Sequence, residues 1–357
     1  KRMKYVGTRW YKCDFHLHTM QSQCYKDKSD TAQAWIQAAK EKGINCVAVT
    51  DHNDYRKIND IIEAGKEQNI VVFPGVEITC DTSKIHILIL FDVSKNEDKV
   101  RDFLSAVDID SECVGNTDGT VMNIFDVCKK AKSKDAIVIA AHIDEFNGIN
   151  SMSAANIKKI LNRKYIDAVQ VVNANIWEKY SKIKDKDVML EDLKNKYEKE
   201  ISISEAENWR KTYNKALESK IPLLCFSDNP CAIGDAQHGL WGIGNEFTWI
   251  KMDENPNVEG LRQALLSDDM RVVTSDKCFE SLELESSAIN PCKKLTVNFS
   301  PQLNAVIGGR GSGKSTIIRV LSGALNSNDK IEIKTIEEDQ KNFYKKFDSK
   351  TGLGIFT

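Results

Sequence analysis

The chain has 357 residues, of which 41% are hydrophobic and 29% charged, and its formal net charge is -2 at pH 7. That length exceeds what one hydrophobic core usually serves, so a large domain plus a second piece is expected, and the composition excludes a disordered or collagen-like chain. Near-neutral charge excludes a chain-wide basic surface, so any surface for nucleic acid has to be local.

Over residues 1–230, short aliphatic runs alternate with stretches of helical periodicity. Strands are predicted at 11–16, 45–50, 70–79, 85–91, 136–142, 167–172 and 222–227, and helices at 31–42, 56–68, 96–107, 121–133 and 153–163. Strands interleaved with helices in this way suggest an α/β protein, either a (β/α) barrel or a doubly wound sheet. Residues 175–220 are dense in Lys and Glu with sparse apolar positions, which predicts a charged helical insertion in a barrel loop, most simply a solvated hairpin. The run "EFTWIKM", a helix near 257–267 and a Ser- and Glu-rich stretch at 281–289 follow, before a new apolar pattern opens at "KKLTVNF". The expected division is a barrel over 1–280, a linker at 281–291 and the start of a second domain at 292–357.

The strand ends carry the chemistry. The stretch "YKCDFHLHTM" puts His16 and His18 on either side of one leucine, and i and i+2 of a strand share a face. Two imidazoles on one face can share a metal; the plainer alternative is a half-buried strand with two surface histidines. Strand 2 ends in Asp51 and His52, strand 3 contains Glu77, strand 5 ends in His142 and strand 7 in Asp228, while His86 opens strand 4. In a barrel the carboxyl ends of the strands converge on one mouth, and five of the six histidines fall there. Glu77 follows Val76 in a strand that is otherwise apolar, and a buried carboxylate needs a cation, a proton or a hydrogen-bonding network. A carboxylate so placed can bridge two metals.

Ten cysteines are scattered without a CxxC pair, several inside apolar runs, as expected of reduced thiols in a cytoplasmic protein. No apolar run approaches the length of a membrane span and the first ten residues lack the apolar core of a signal peptide, so no membrane partner is expected. Near the end, "LNAVIGGRGSGKSTIIRVL" contains GxxxxGKS after an apolar strand and before a helical pattern. Gly308, Gly311, Ser312, Gly313, Lys314, Ser315 and Thr316 would wrap the phosphates of ATP, with Lys314 reaching the β and γ phosphates and Ser315 holding Mg²⁺. No acidic strand end that could complete such an ATPase follows in the remaining residues.

The ordered series "DFHLHT", "TDHND", "PGVEIT", a following histidine, "AAH" and "SD" resembles the PHP (polymerase and histidinol phosphatase) family over roughly residues 10–275. The resemblance implies a distorted (β/α)7 barrel with two or three divalent ions, Zn, Mn or Fe, that hydrolyses phosphate esters. It implies His16, His18, Glu77 and Asp228 as ligands of the first metal, and Glu77, His86 and His142 of the second. His16, His18, Glu77, His142 and Asp228 would be the catalytic set. His52 would belong to a third metal, and Asp51 would orient an imidazole or cap a helix.

The sequence departs from the trinuclear members at two places. Cys24 stands six residues beyond the paired histidines, where they have histidine, and Asp228 is followed by Asn229, Pro230 and Cys231 rather than by DxH. Cys24, Cys231 and the loop residue His238 are candidate replacements, although a loop histidine is ordinarily solvated and Cys24 could equally pack beneath its loop. The run "KKLTVNFSPQLNAVIGG" resembles the start of an SMC- or ABC-like ATPase head, and such a head would make a homodimer or higher oligomer.

The resulting expectation is a metal-dependent phosphodiesterase, a nuclease coupled to an SMC-like ATPase in DNA maintenance or defence against foreign DNA. The alternatives are an ATP-regulated phosphomonoesterase on a nucleotide or metabolite, and a non-catalytic metal-stabilised module of the ATPase.

Overall fold

The structure, a computed structural model, describes residues 7–80, 84–112, 114–115 and 119–274, with the backbone of 281–284, 295–298 and 353–356. The chain divides into two compact units, Lys1–Thr274 and Ser275–Thr357.

In the first unit the elements run β1 (Arg9–Asp14), α1 (Ala32–Glu41), β2 (Cys46–Val49), α2 (Ile58–Gln68), β3 (Val71–Cys80), β4 (Ile85–Leu90), α3 (Glu97–Ala106), α4 (Ile124–Ser133) and β5 (Ile137–Ala140). They continue with α5 (Ala154–Ile160), β6 (Ala168–Gln170), α6 (Ala174–Ile183), α7 (Lys186–Tyr197), α8 (Ile203–Ser219), β7 (Leu223–Leu224), β8 (Thr248–Met252), α9 (Val258–Leu266), α10 (Asp268–Arg271) and β9 (Val272–Val273). One sheet takes all nine strands in the order β7-β6-β5-β4-β3-β2-β1-β8-β9. β1, β2 and β3 are parallel, as are β5, β6 and β7, and β4 runs antiparallel to both its neighbours.

Side chains rather than a ladder tie the ends of this sheet together. The Thr248 hydroxyl accepts from Cys225 N at 2.9 Å and donates to Cys225 O at 2.9 Å, which joins the segment after β7 to β8. The buried Asp14 carboxylate accepts from Ser227 N at 3.2 Å, Ser227 Oγ at 2.5 Å and Gly244 N at 3.0 Å. The sheet is therefore nearly closed and barrel-like, with α-helices packed on its outer face.

Alternation along the strands separates two apolar layers. Phe15, Phe73, Leu88, Leu90, Ile139 and Phe226 face inward, where they meet Leu261 and Leu265 of α9. The alternate residues Val76, Ile78, Ile87 and Ile89 join Trp35, Ile36, Ile61 and Val127 of the surrounding helices.

Three local expectations are corrected. β1 stops at Asp14, so His16 and His18 lie just beyond the strand and not in it. The insertion is three helices, not a solvated hairpin: Ala206, Trp209, Tyr213 and Ala216 of α8 are buried at helical spacing, which makes the sparse apolar positions one packed face. The Ser202 and Glu205 capping box starts that helix. In the second unit, Ser281–Leu284, read as part of a linker from its Ser and Glu, is a strand paired antiparallel with Leu295–Asn298 and Leu353–Phe356. The phosphate-loop residues Gly308, Gly311, Ser312, Gly313, Lys314, Ser315 and Thr316 lie outside the described residues. Among the described residues no helix is long and apolar enough to cross a membrane.

Candidate metal centre

The parallel strands deliver their carboxyl ends to one mouth, and the antiparallel β4 delivers its amino end to the same place. That reversal is why His86 opens its strand: it pairs with Thr79, two residues beyond Glu77 on β3. The turns that follow the other strands are tight. Asn53, His142 and Asp228 hold φ of 48°, 27° and 49°, a left-handed region that costs on the order of 1–3 kcal/mol for residues other than glycine and that concentrates at functional sites.

Glu77 stands at the centre, fully buried. Its Oε1 lies 2.9 Å from His86 Nδ1 and 3.3 Å from His142 Nε2. Its Oε2 lies 3.2 Å from His16 Nε2, 3.3 Å from His18 Nε2 and 3.0 Å from His52 Nδ1. Asp228 Oδ1 faces the same two imidazoles, 3.3 Å from His16 Nε2 and 3.1 Å from His18 Nε2, which are themselves 3.3 Å apart. The structure thus brings His16, His18, Glu77 and Asp228 to one side of the carboxylate and His86 and His142 to the other.

These atoms are close without satisfying one another. His52 Nδ1, Glu77 Oε2, Asp228 Oδ1 and His142 Nδ1 are buried and have no hydrogen-bond partner, a costly state for four polar atoms in one place. Ligand atoms held about 2.0–2.1 Å from one ion stand about 3.0–3.4 Å from each other in octahedral or tetrahedral geometry, which is the spacing seen here. The donor set of imidazoles and carboxylates suits divalent zinc, manganese or iron.

The electrostatics point the same way. Burial pushes the His18 imidazole down, but Asp228 and Glu77 overcome it and hold the proton well above the ordinary range. His52 and His142 are likewise held up at about 9 against burial, chiefly by Glu77. Burial raises the Glu77 and Asp228 carboxyls, and the surrounding imidazoles outweigh it and bring both well below the usual carboxylate range. The buried Glu77 carboxylate and the half-buried Asp228 beside it therefore demand positive charge at the centre, which protons on imidazoles or divalent ions can supply.

Supporting side chains aim the ligand atoms. Gln170 Oε1 sits 2.8 Å from His16 Nδ1 and accepts from His142 N at 3.3 Å, while Gln170 Nε2 donates to Phe226 O at 3.3 Å. This amide holds the Nδ1 edge of His16, which turns Nε2 toward the centre. His18 is held by its backbone: its N–H donates to Asn229 Oδ1 at 2.6 Å, and its carbonyl accepts from Asn229 Nδ2 at 3.0 Å and Trp35 Nε1 at 2.9 Å. Asp51 accepts from Thr19 N at 2.7 Å and Thr19 Oγ1 at 2.6 Å and stands 4.0 Å from His18 Nδ1, so it positions the segment after His18 more than the ring itself. Gln170 and Asn229 escaped the sequence reading as site residues, whereas His238 was among its candidate replacements. The available signal for Gln170 was one amide inside the apolar strand "DAVQVV".

A second group adjoins the first. The ligand atoms of His18, Cys24, His52 and His238 all lie within 4.8 Å of one another. His238 N–H donates to Cys24 O at 2.9 Å and Lys26 N–H to His238 O at 2.9 Å, so the loop after β7 is pinned to the loop after β1. The His238 ring stacks on His18 with centroids 4.0 Å apart. Burial raises the Cys24 thiol, but hydrogen bonds with His238 and His52 prevail and bring it down to about 4. Cys231 is not in this group: its Sγ donates to Asp235 Oδ2 at 3.0 Å.

A barrel-like α/β sheet with buried histidines and carboxylates converging at the mouth defines a metallohydrolase. The PHP domain matches residues 14–202, more than half of the chain, and the chain belongs to the PHP family of metal-dependent phosphoesterases. No curated protein matches the sequence. Among solved structures, the chain is similar to the lesion-specific endonuclease PfuEndoQ from Pyrococcus furiosus, with 13% identity, a TM-score of 0.47, and coverage of 72% of this chain and 56% of that one. An Endonuclease Q complex with a 27-mer duplex carrying an abasic lesion matches with 15% identity, a TM-score of 0.47 and coverage of 72% and 57%. An amidohydrolase from Chromobacterium violaceum matches with 12% identity, a TM-score of 0.42 and coverage of 74% and 98%. The matched region spans little more than half the length of the two endonuclease chains.

Proposed function

We propose that this chain is a metal-dependent phosphodiesterase that acts on nucleic acid and is coupled to ATP through the loop Gly308–Thr316. The observation that carries the proposal is the division of Glu77, with Oε1 turned to His86 and His142 and Oε2 to His16 and His18 beside Asp228. In this reading His16, His18, Glu77 and Asp228 would hold one ion, and Glu77, His86 and His142 another. Cys24, His52 and His238 would hold a third, for which the sulfur favours zinc. Divalent ions so held supply Lewis acidity for in-line displacement at phosphorus. The protein supplies the rest: Gln170 keeps His16 Nε2 inward, Asn229 clamps the His18 backbone, and the apolar barrel interior beneath keeps water from the buried face of the site. The Walker-type sequence around Lys314 supports ATP as a second ligand.

Metal analysis of the purified chain, followed by Mn²⁺-supported hydrolysis of bis(4-nitrophenyl) phosphate and of an oligonucleotide, tests the reading. At least two ions per chain and cleavage of both diesters are expected. Hydrolysis of 4-nitrophenyl phosphate alone would make the chain a monoesterase, and metal binding with no hydrolysis would make it a non-catalytic module. Lys314→Ala is expected to weaken ATP binding and leave metal content unchanged; ATP affinity equal to that of the parent chain would remove the loop from the reading.

A further inference from the structure

The turn after β2 carries a guanidinium that the metal centre does not use. Asp54 is fully buried, and its carboxylate accepts from Tyr55 N at 2.7 Å and Arg56 N at 2.9 Å. The same carboxylate takes the Arg56 head in a fork, from Nε at 3.0 Å and Nη2 at 2.6 Å. A bidentate pair of this kind fixes the plane of the guanidinium and leaves the Nη1 edge for another acceptor. The Arg56 side chain is 48% exposed while Asp54 is fully covered, so the fork is anchored from below and open above.

The turn itself is rigid and tied to the metal ligands. Asn53 N–H donates to Glu77 O at 2.9 Å, and Asn53 Oδ1 accepts from Thr79 N at 3.1 Å. Gly115, with φ +80°, donates to Asn53 O at 3.0 Å and packs over the pair so closely that a Cβ would lie 2.8 Å from Arg56 Nη2. Only glycine fits there, and its backbone packs on the Nη2 side of the pair, the edge that Asp54 already holds. A loop between a barrel strand and its helix lies at the mouth, and three residues here separate Arg56 from His52. A purely structural partner for Asp54 would need neither an open edge nor the mouth.

We propose that Arg56 is a phosphate clamp on the rim of the metal centre, which takes the phosphate adjacent to the scissile one in a polynucleotide. This rests on the phosphodiesterase reading above and adds to it the substrate class that the rim selects. A planar fork with one free edge matches the non-bridging oxygens of a backbone phosphate, and such a contact confers affinity without base preference.

The test is binding of a fluorescent single-stranded 12-mer to the full chain with metal removed, by anisotropy across a salt series, for the parent, Arg56→Ala and Arg56→Gln. Glutamine keeps a donor for Asp54 without the charge, so it separates clamp from fold, and thermal melting confirms that both variants are folded. Each variant is expected to bind about tenfold more weakly, with the slope of log K against log salt less negative by about 0.7, the value for one phosphate contact on a single strand. Unaltered affinity and slope in both variants, or no binding of the 12-mer by the parent chain, would overturn the clamp. Hydrolysis of bis(4-nitrophenyl) phosphate by the parent chain stands or falls separately and reports on the metal-centre reading alone.

Discussion

The two groups of donors at the mouth are built by different means. The group around Glu77 hangs on the sheet: β3 carries the carboxylate, β4 opens with His86, and the segments leaving β1, β5 and β7 carry His16, His18, His142 and Asp228. The group around Cys24 hangs on two loops that hold each other through His238 N to Cys24 O and Lys26 N to His238 O. The first contains only nitrogen and oxygen donors, the second a sulfur held as thiolate by two imidazoles. A centre built on strands is rigid and tolerates little change of ligand. A group built on loops depends instead on the two loops continuing to meet, which the hydrogen bonds between Cys24, Lys26 and His238 secure.

The hardest blow to the comparison is Glu77→Gln, because Glu77 faces both imidazole sets. The amide keeps the shape and removes the charge that draws cations to the centre. We expect loss of at least one ion by metal analysis and a fall in diester hydrolysis of about 10³-fold or more. Activity close to that of the parent chain would mean that Glu77 is not shared between ions.

Gln170→Leu separates the strand-built group from the loop-built one. It removes the acceptor for His16 Nδ1 and the donor to Phe226 O while leaving every proposed ligand in place. Apparent affinity for the first ions, measured by competition with a chelator, should fall about 10- to 100-fold, with the Cys24 group unaffected. An equal loss at both groups would argue that the mutation disturbs the barrel instead.

The same contrast governs what could be read from the sequence. Six donors at strand ends were legible because alternation and chain order place such residues at one mouth wherever the strands fall in a barrel. His86 was legible as a residue and became intelligible only with β4 antiparallel, a pairing that the local pattern "IHILIL" does not encode. Gln170 could not be assigned because its partners His16, His142 and Phe226 come from three other parts of the chain. His238 looked like a solvated loop histidine, and it is 8% exposed because the bridge pairs Tyr25 with His238 and Pro230 with His238 draw it in. Alternation also placed His16 and His18 inside β1, whereas the strand ends at Asp14, whose carboxylate is taken up by Ser227 and Gly244 at the barrel seam.

The smallest effect is expected at the loop-built corner, where Cys24→Ser and His238→Ala should each lower metal stoichiometry by about one ion and leave the Glu77 group loaded, since the ligand sets are largely separate. The thiol gives this corner its own reporter. Its pKa is about 4 because the bonds with His238 and His52 outweigh burial, so the thiolate is present at every pH above that value. An ordinary thiol near 8.5 is almost wholly protonated at pH 6. With metal removed, iodoacetamide should therefore modify Cys24 at pH 6, as located by mass spectrometry, and zinc should protect it. His238→Ala removes one of the two imidazoles that hold the proton off and should shift the onset of labelling toward alkaline pH. Labelling of the parent chain that begins only above pH 8 and ignores zinc would place Cys24 outside any metal site, and the loop-built group would then reduce to a packing contact between two loops.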